Sequence, residues 1–186
     1  MNNWKHKRIE DIAFFNPPCS LKKGNPTKKI PMNYLKEFQR KIIGYEISEY
    51  VCGPKFINGD TLVAKITPCL ENGKTAFVDI LEDGEIAFGS SEFIVLRAKE
   101  GNDKLFLYYL SISPTFREKA VSCMEGTSGR KRVNETSLKN QELPIPDFAT
   151  QQRIAAVLSS LDAKIELNNK INRELEAAAK TLYDYW

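Results

Sequence analysis

From Thr150 to Trp186 the chain runs for 37 residues without a glycine or a proline. Nothing in that stretch breaks a helix, and Pro144 and Pro146 shut helix out just upstream. Ile154, Leu161, Leu175 and Leu182 recur on one heptad position, with Asn168 in the remaining slot. Val157, Lys164, Ile171, Ala178 and Tyr185 fall three residues on; Leu158, Ile165, Asn172, Ala179 and Trp186 fall four on. This is a broad apolar stripe at helical period. The spacing predicts one helix with Thr150 as its N-cap, about 55 Å long at about 1.5 Å per residue.

A domain made from the preceding residues has a radius of gyration of only about 15 Å. It cannot cover the whole stripe, so part of the stripe is expected to meet another helix, from a second chain. The predicted seam residues are Ile154, Val157, Leu158, Leu161, Ile165, Asn168, Ile171, Leu175 and Leu182. Asn168 and Asn172 interrupt its middle. Asparagine at a seam specifies register and partner at some cost in stability; alternatively the helix bends and leaves both solvated.

Composition narrows the function. Of 186 residues, 27 are Lys or Arg and 24 Asp or Glu, a net charge of +3. The helical segment carries five of each sign, so the whole excess belongs to residues 1–149. That excess permits a nucleic-acid partner without naming one. The single histidine, His6, sits among lysines and reads as a solvated surface residue; a histidine-based triad or metal site has no material. Cys19, Cys52, Cys69 and Cys123 form no Cys-x-x-Cys pair, so they read as free thiols rather than zinc ligands. No apolar run reaches membrane-spanning length, and the basic N-terminus leads into no signal core. A soluble, cytoplasmic protein without a membrane partner is expected.

Residues 1–147 read as one mixed α/β domain and 148–186 as the helical appendage, an α+β fold class. Asp60–Ile66 and Glu92–Ala98 read as strands, the latter apolar enough to be central. Thr75–Leu81 and Glu85–Phe88 flank Asp83-Gly84, which predicts a hairpin because that tight turn needs positive φ. Asp103–Leu110 and Thr115–Met124 read as helices broken at Ser113-Pro114. Two basic loops follow from glycine, asparagine and lysine content: Lys22–Lys29 and Gly126–Arg132.

Catalytic motifs fail on inspection. Asn16-Pro17-Pro18-Cys19 is similar to the Asn-Pro-Pro-aromatic motif of DNA amino-methyltransferases, but Cys19 replaces the aromatic and no methyl-donor loop accompanies it. Gly73-Lys74-Thr75 resembles the end of a phosphate-binding loop, but the required first glycine is Pro68.

Three stretches and the tail carry a specific resemblance: Ile66–Val78 (ITPCLENGKTAFV), Ala87–Arg97 (AFGSSEFIVLR), Gly126–Val133 (GTSGRKRV), and Leu143-Pro144-Ile145-Pro146 through Gln151-Gln152-Arg153-Ile154 and onward. In order and spacing they resemble a target-recognition domain, with its conserved spacer helix, of the specificity (S) subunit of type I restriction-modification systems. A full S subunit carries two of each in tandem; this chain has one of each, as in a half-length form or a fragment. The resemblance implies a non-catalytic subunit that reads one half of a bipartite, palindromic double-stranded DNA target. It implies docking to a methyltransferase (M) subunit and a restriction (R) subunit. S-adenosylmethionine, ATP and Mg are then expected on those partners, and no cofactor or metal on this chain. The length and open stripe of the single helix lead us to expect a homodimer whose spacer helices pair as an antiparallel coiled coil. A helper that binds M subunits without reading DNA, or a small amino-methyltransferase, stands as the alternative.

DNA reading needs cations for phosphates and forked donors for base edges. Arg130, Lys131 and Arg132 are candidates for either task, on a loop where Gly126 and Gly129 permit close backbone approach. Asn72 is a candidate adenine reader, with Thr67 and Lys74 beside it, although a turn fixing the sheet edge explains Asn72-Gly73 equally. Lys22, Lys23, Lys28 and Lys29 are candidates for phosphates. Glu92 reads as a scaffold residue.

Overall fold

The computed structural model describes residues 4–127 and 129–186. In chain order its elements are β1 (Lys5–Arg8), α1 (Ile9–Ile12), β2 (Ala13–Phe15), β3 (Pro26–Ile30), β4 (Glu46–Glu49), β5 (Lys55–Phe56), β6 (Thr61–Ala64), β7 (Thr75–Phe77), β8 (Ala87–Gly89) and β9 (Phe93–Ala98). There follow α2 (Lys104–Ile112), α3 (Pro114–Ser122), β10 (Met124–Glu125), β11 (Arg132–Val133), α4 (Glu135–Lys139), β12 (Glu142–Ile145) and α5 (Phe148–Asp184).

Two four-stranded sheets stack. The first has the order β2-β9-β6-β7 and the second β4-β3-β8-β5. Strand β9 shows why the first is central. Ile94 and Leu96 point into a core shared with α1, α2, α3, α4 and the start of α5. Phe93 and Val95, on the opposite face, join Ile30, Phe56, Leu62 and Ala87 between the two sheets. A strand buried on both faces has no polar side to show, hence the unbroken apolar run from Phe93 to Leu96. The layers are therefore helices, first sheet, second sheet. The expected α+β class, with one long C-terminal helix, is what the chain adopts.

Two expectations need correction. The Asp83-Gly84 turn is present, with Gly84 at φ +72°. The strands on either side do not pair with each other, however. Strand β7 pairs β6 in the first sheet, whereas β8 pairs β3 and β5 in the second. A tight turn reverses the chain but does not choose its partners, and here Val78–Asp83 carries it from one layer to the next. The second correction is the helix start. Asp147, not Thr150, caps α5: its carboxylate accepts from the Thr150 N–H at 2.9 Å and the Thr150 hydroxyl at 3.0 Å. The two short helices do break at Ser113-Pro114, with Pro114 opening α3, where its missing N–H leaves no bond unmade.

Helix α5 is riveted to the domain near its start. Gln151 is 1% exposed. Its carbonyl accepts from the Asp103 N–H at 2.9 Å. Its amide donates to the Pro146 carbonyl at 3.0 Å and to Asn102 at 3.3 Å. Ala155 and Leu158 pack below it, the latter on Tyr108 and Tyr109. Beyond Asn169 the helix continues past the domain with every residue exposed. Gln151→Ala strands a buried N–H and a buried carbonyl, so it should lower the unfolding free energy by about 2 kcal/mol. Gln152→Ala, at the exposed neighbouring position, should stay within about 0.5 kcal/mol; urea denaturation midpoints of the two variants check this.

Candidate nucleic-acid interface

One rim of the first sheet gathers the segments that follow β6, precede β9 and surround β11. The Ile66–Lys74 segment is wound into successive turns. Leu70, Asn72, Gly73 and Lys74 donate their N–H groups to Ile66, Pro68, Leu70 and Cys69 at 2.9–3.1 Å. Its base is stitched to the basic loop: the Thr67 N–H donates to the Lys131 carbonyl at 3.0 Å, and Val133 N–H to the Lys65 carbonyl at 2.8 Å. The structure thus brings Thr67 beside Lys131 and Arg132.

The three basic residues of that loop differ. Arg132 is committed. Its guanidinium grips the Glu92 carboxylate through three contacts of 2.7–3.1 Å, and the Arg132 hydrogen bonds hold the Glu92 carboxyl below its ordinary range. Arg130 and Lys131 are exposed, and their side chains form no hydrogen bond or ion pair among the described residues. The backbone beneath them folds tightly. Gly126 is at φ +119°, and a Cβ there would stand 3.2 Å from the Arg130 carbonyl. Ser128 lies outside the described residues.

Behind the rim, Asn16 is at φ +48°. Its amide donates to Glu135 at 2.8 Å and accepts from the Val95 N–H at 2.9 Å. Lys65 reaches the other Glu135 oxygen at 3.4 Å. The Asn-Pro-Pro asparagine is thus held in the scaffold.

Asn72 and Lys74 lie at the other end of the wound segment. Asn72 is exposed at its tip. Gly73 is at φ +72°, and a Cβ there would come within 2.6 Å of the Phe38 ring. That exposed ring also lies 4.7 Å below the Arg117 guanidinium. Lys74 pairs through its backbone with Glu37.

The second basic segment is not one loop. Lys22 and Lys23 stand exposed on a turn, but Lys28 and Lys29 belong to β3. Lys28 is 8% exposed and bonds Glu85 at 2.8 Å. It is an interior ion pair and not the phosphate contact expected of it. A cation in that layer needs its counter-ion more than it needs solvent.

Sequence reasoning misses a cluster where α5 leaves the domain. Arg40 reaches Glu166 at 3.2 Å and Asp79 at 3.8 Å; Lys41 reaches the other Glu166 oxygen at 2.7 Å. One turn earlier, the Tyr109 hydroxyl donates to Asp162 at 2.7 Å. The basic pair Arg40-Lys41 is visible in the sequence, but Glu166 lies 126 positions from Arg40, beyond any local pattern. Burial works to raise the Glu166 carboxyl, and the hydrogen bonds from Lys41 and Arg40 outweigh it and hold it below 4.5. A lowered folded-state value means that this contact stabilises the fold above about pH 4.5 and is lost as pH falls through the folded value. Unfolding free energy measured between about pH 5 and pH 3 should therefore fall less steeply in Glu166→Gln than in the parent chain.

Solved structures share this architecture. The HsdS subunit from Thermoanaerobacter tengcongensis superposes with a TM-score of 0.69 at 21% identity, over 96% of this chain and 47% of that one. The type I restriction-modification S subunit from M. genitalium gives 0.56 at 19% identity, over 89% and 40%. Two stacked sheets with a projecting helix are thus the fold of type I specificity subunits. The sequence agrees. The chain belongs to the type I restriction modification DNA specificity domain family, whose model matches residues 1–177. The EcoAI specificity subunit of Escherichia coli is 39% identical over 163 residues, 82% of this chain and 27% of that protein. The HindI specificity subunit of Haemophilus influenzae is 36% identical over 133 residues, 69% and 28%. The chain thus spans about a quarter of these relatives' length. No helix among the described residues is long and apolar enough to cross a membrane.

Proposed function

We propose that this chain is a non-catalytic DNA specificity subunit. Residues 1–147 read one half of a bipartite double-stranded target, and residues 148–186 act as a spacer that dimerises and docks methyltransferase and restriction subunits. The observation that carries the reading is the rim loop. Arg130 and Lys131 stand unneutralised among the described residues, on backbone pinned to Thr67, while Arg132 is held by Glu92. A surface that keeps two cations free beside a committed third is built to meet an anion. The family description and the names of the relatives point to DNA as that anion.

The roles divide accordingly. Arg130 and Lys131 face the groove or its phosphates, Asn72 and Thr67 lie on the same wound segment, and Lys22, Lys23 and Lys29 serve phosphates at a distance. Lys74 and Arg132 hold backbone and scaffold. Any S-adenosylmethionine, ATP and Mg belong to the partner subunits. Two copies related by a two-fold axis through α5 would read a palindromic, interrupted site.

Two substitutions separate reading from grip. Arg130→Ala should relax one base position and cost about 1–3 kcal/mol there, seen by sequencing the DNA methylated in cells that carry the M subunit and the variant. Lys22→Ala with Lys23→Ala should weaken all sites alike and flatten the salt dependence of binding. Salt-insensitive binding to the M subunit with no retention of DNA would instead mark the chain as an interaction module.

A further inference from the structure

The free face of α5 is symmetric about one residue. Leu161 and Leu175 lie seven residues either side of Asn168, and Ile154 and Leu182 fourteen. All five share one line along the helix, and Leu161, Leu175 and Leu182 are 50%, 63% and 69% exposed. The domain-bound line is a different one: Gln151, Ala155, Leu158, Asp162 and Glu166. Each of Ile154, Val157 and Leu161 immediately precedes one of these, so the two lines stand about 100° apart. Ile154 packs partly against the domain, and anchoring the helix leaves the symmetric line open from Leu161 onward.

At the start of α5 that line runs into an apolar groove of about 250 Å³, lined by Trp4, Leu110, Leu143, Pro144, Ile154 and Leu158. A shallower depression beside Thr150 and Val157 continues it along the helix. At the far end of α5, Tyr183 is 82% exposed.

We infer that the occupant of this face is the α5 of a second copy, antiparallel, with Asn168 on the two-fold axis. Among antiparallel registers, that one alone lets the one polar residue of the line meet its own copy, while Leu161 meets the second copy's Leu175 and Ile154 its Leu182. A side-chain amide can donate and accept at once, so two facing asparagines satisfy each other where a shifted register would set each against leucine or isoleucine. The same register brings the second copy's Trp186 level with Thr150, at the mouth of the groove. The groove and the uncovered aromatic end are then filled by one arrangement. A parallel pair sets every residue against itself, leaves the groove open and gives the central place of Asn168 no consequence. This inference rests on the dimeric reading above and adds its register and its end contact.

The test is a charge exchange read by sedimentation of the 186-residue chain, with thermal unfolding by circular dichroism as the check on folding. Leu161 and Leu175 are exposed, so their variants keep the domain intact. Leu161→Lys alone and Leu175→Glu alone should each weaken self-association at least about tenfold. The double variant should regain most of that loss, because each introduced ammonium then faces an introduced carboxylate across the seam. Failure of the double variant to recover, with the parent chain dimeric, overturns the register and leaves the dimer standing. A monomeric parent chain at high concentration overturns both. Trp186→Ala should weaken the dimer about tenfold, as truncating a seated tryptophan does; unchanged association overturns the groove contact.

Discussion

A helix of 37 residues has more apolar surface than this domain can cover, and the rest of the molecule is arranged around that mismatch. The domain holds one line of α5, from Gln151 to Glu166, and the two ends of that line are held differently. At Gln151 the grip is a buried amide that satisfies two backbone groups. At Glu166 it is a partly exposed carboxylate between two cations. The first carries its full desolvation penalty if broken. The second is screened and depends on pH. The helix is consequently fixed in position at its root and steered in direction at its exit. Its direction matters because every residue beyond Asn169 carries the angle outward: at about 1.5 Å per residue the remaining helix, to Asp184, makes a lever of about 22 Å.

The charges of the rim are divided in the same way. Three consecutive basic residues leave the last turn before α4, and their fates are set by what lies opposite. Arg132 enters β11 and finds Glu92, the residue before the doubly buried strand β9. That bond ties the loop's C-terminal foot to the strand that is buried on both faces. The wound Thr67 segment ties the other side of the foot through a backbone hydrogen bond. Arg130 and Lys131 are therefore displayed from a fixed base while their own side chains stay free to adapt. A base reader needs both properties, since position supplies register and the free guanidinium supplies the contact.

Features whose cause is local are legible in the sequence. The run Phe93–Leu96 announces a strand buried on both sides, Ser113-Pro114 announces a helix break, and the absence of glycine and proline after Pro146 announces α5. What local pattern misses is decided by residues far apart in the chain. Lys28 reads as one of four solvated lysines, and only its meeting with Glu85, 57 positions on, puts it inside. The Asp83-Gly84 turn stands where its residues place it, yet its flanking segments separate into different sheets, because a turn's backbone carries no information about the next layer. Arg40 has no visible partner until the fold brings α5 past it. In the candidate site the glycines tell of a tight loop, but nothing local tells Arg132, which is committed, from Arg130, which is not.

The division between what is anchored and what is left free also bears on why the recognition unit tolerates so long an appendage. An apolar face left in water across half a helix is a liability for association, and here it is graded rather than uniform. Its centre is polar at Asn168, its flanks are leucine, and its root opens into a groove. A face of that kind penalises every pairing that is shifted along the axis, because a shift buries an unpaired amide and empties the groove at the same time. In the proposed dimer, contacts along α5 would set the separation of the two rims, and that separation would be a property of α5, independent of the rim loops.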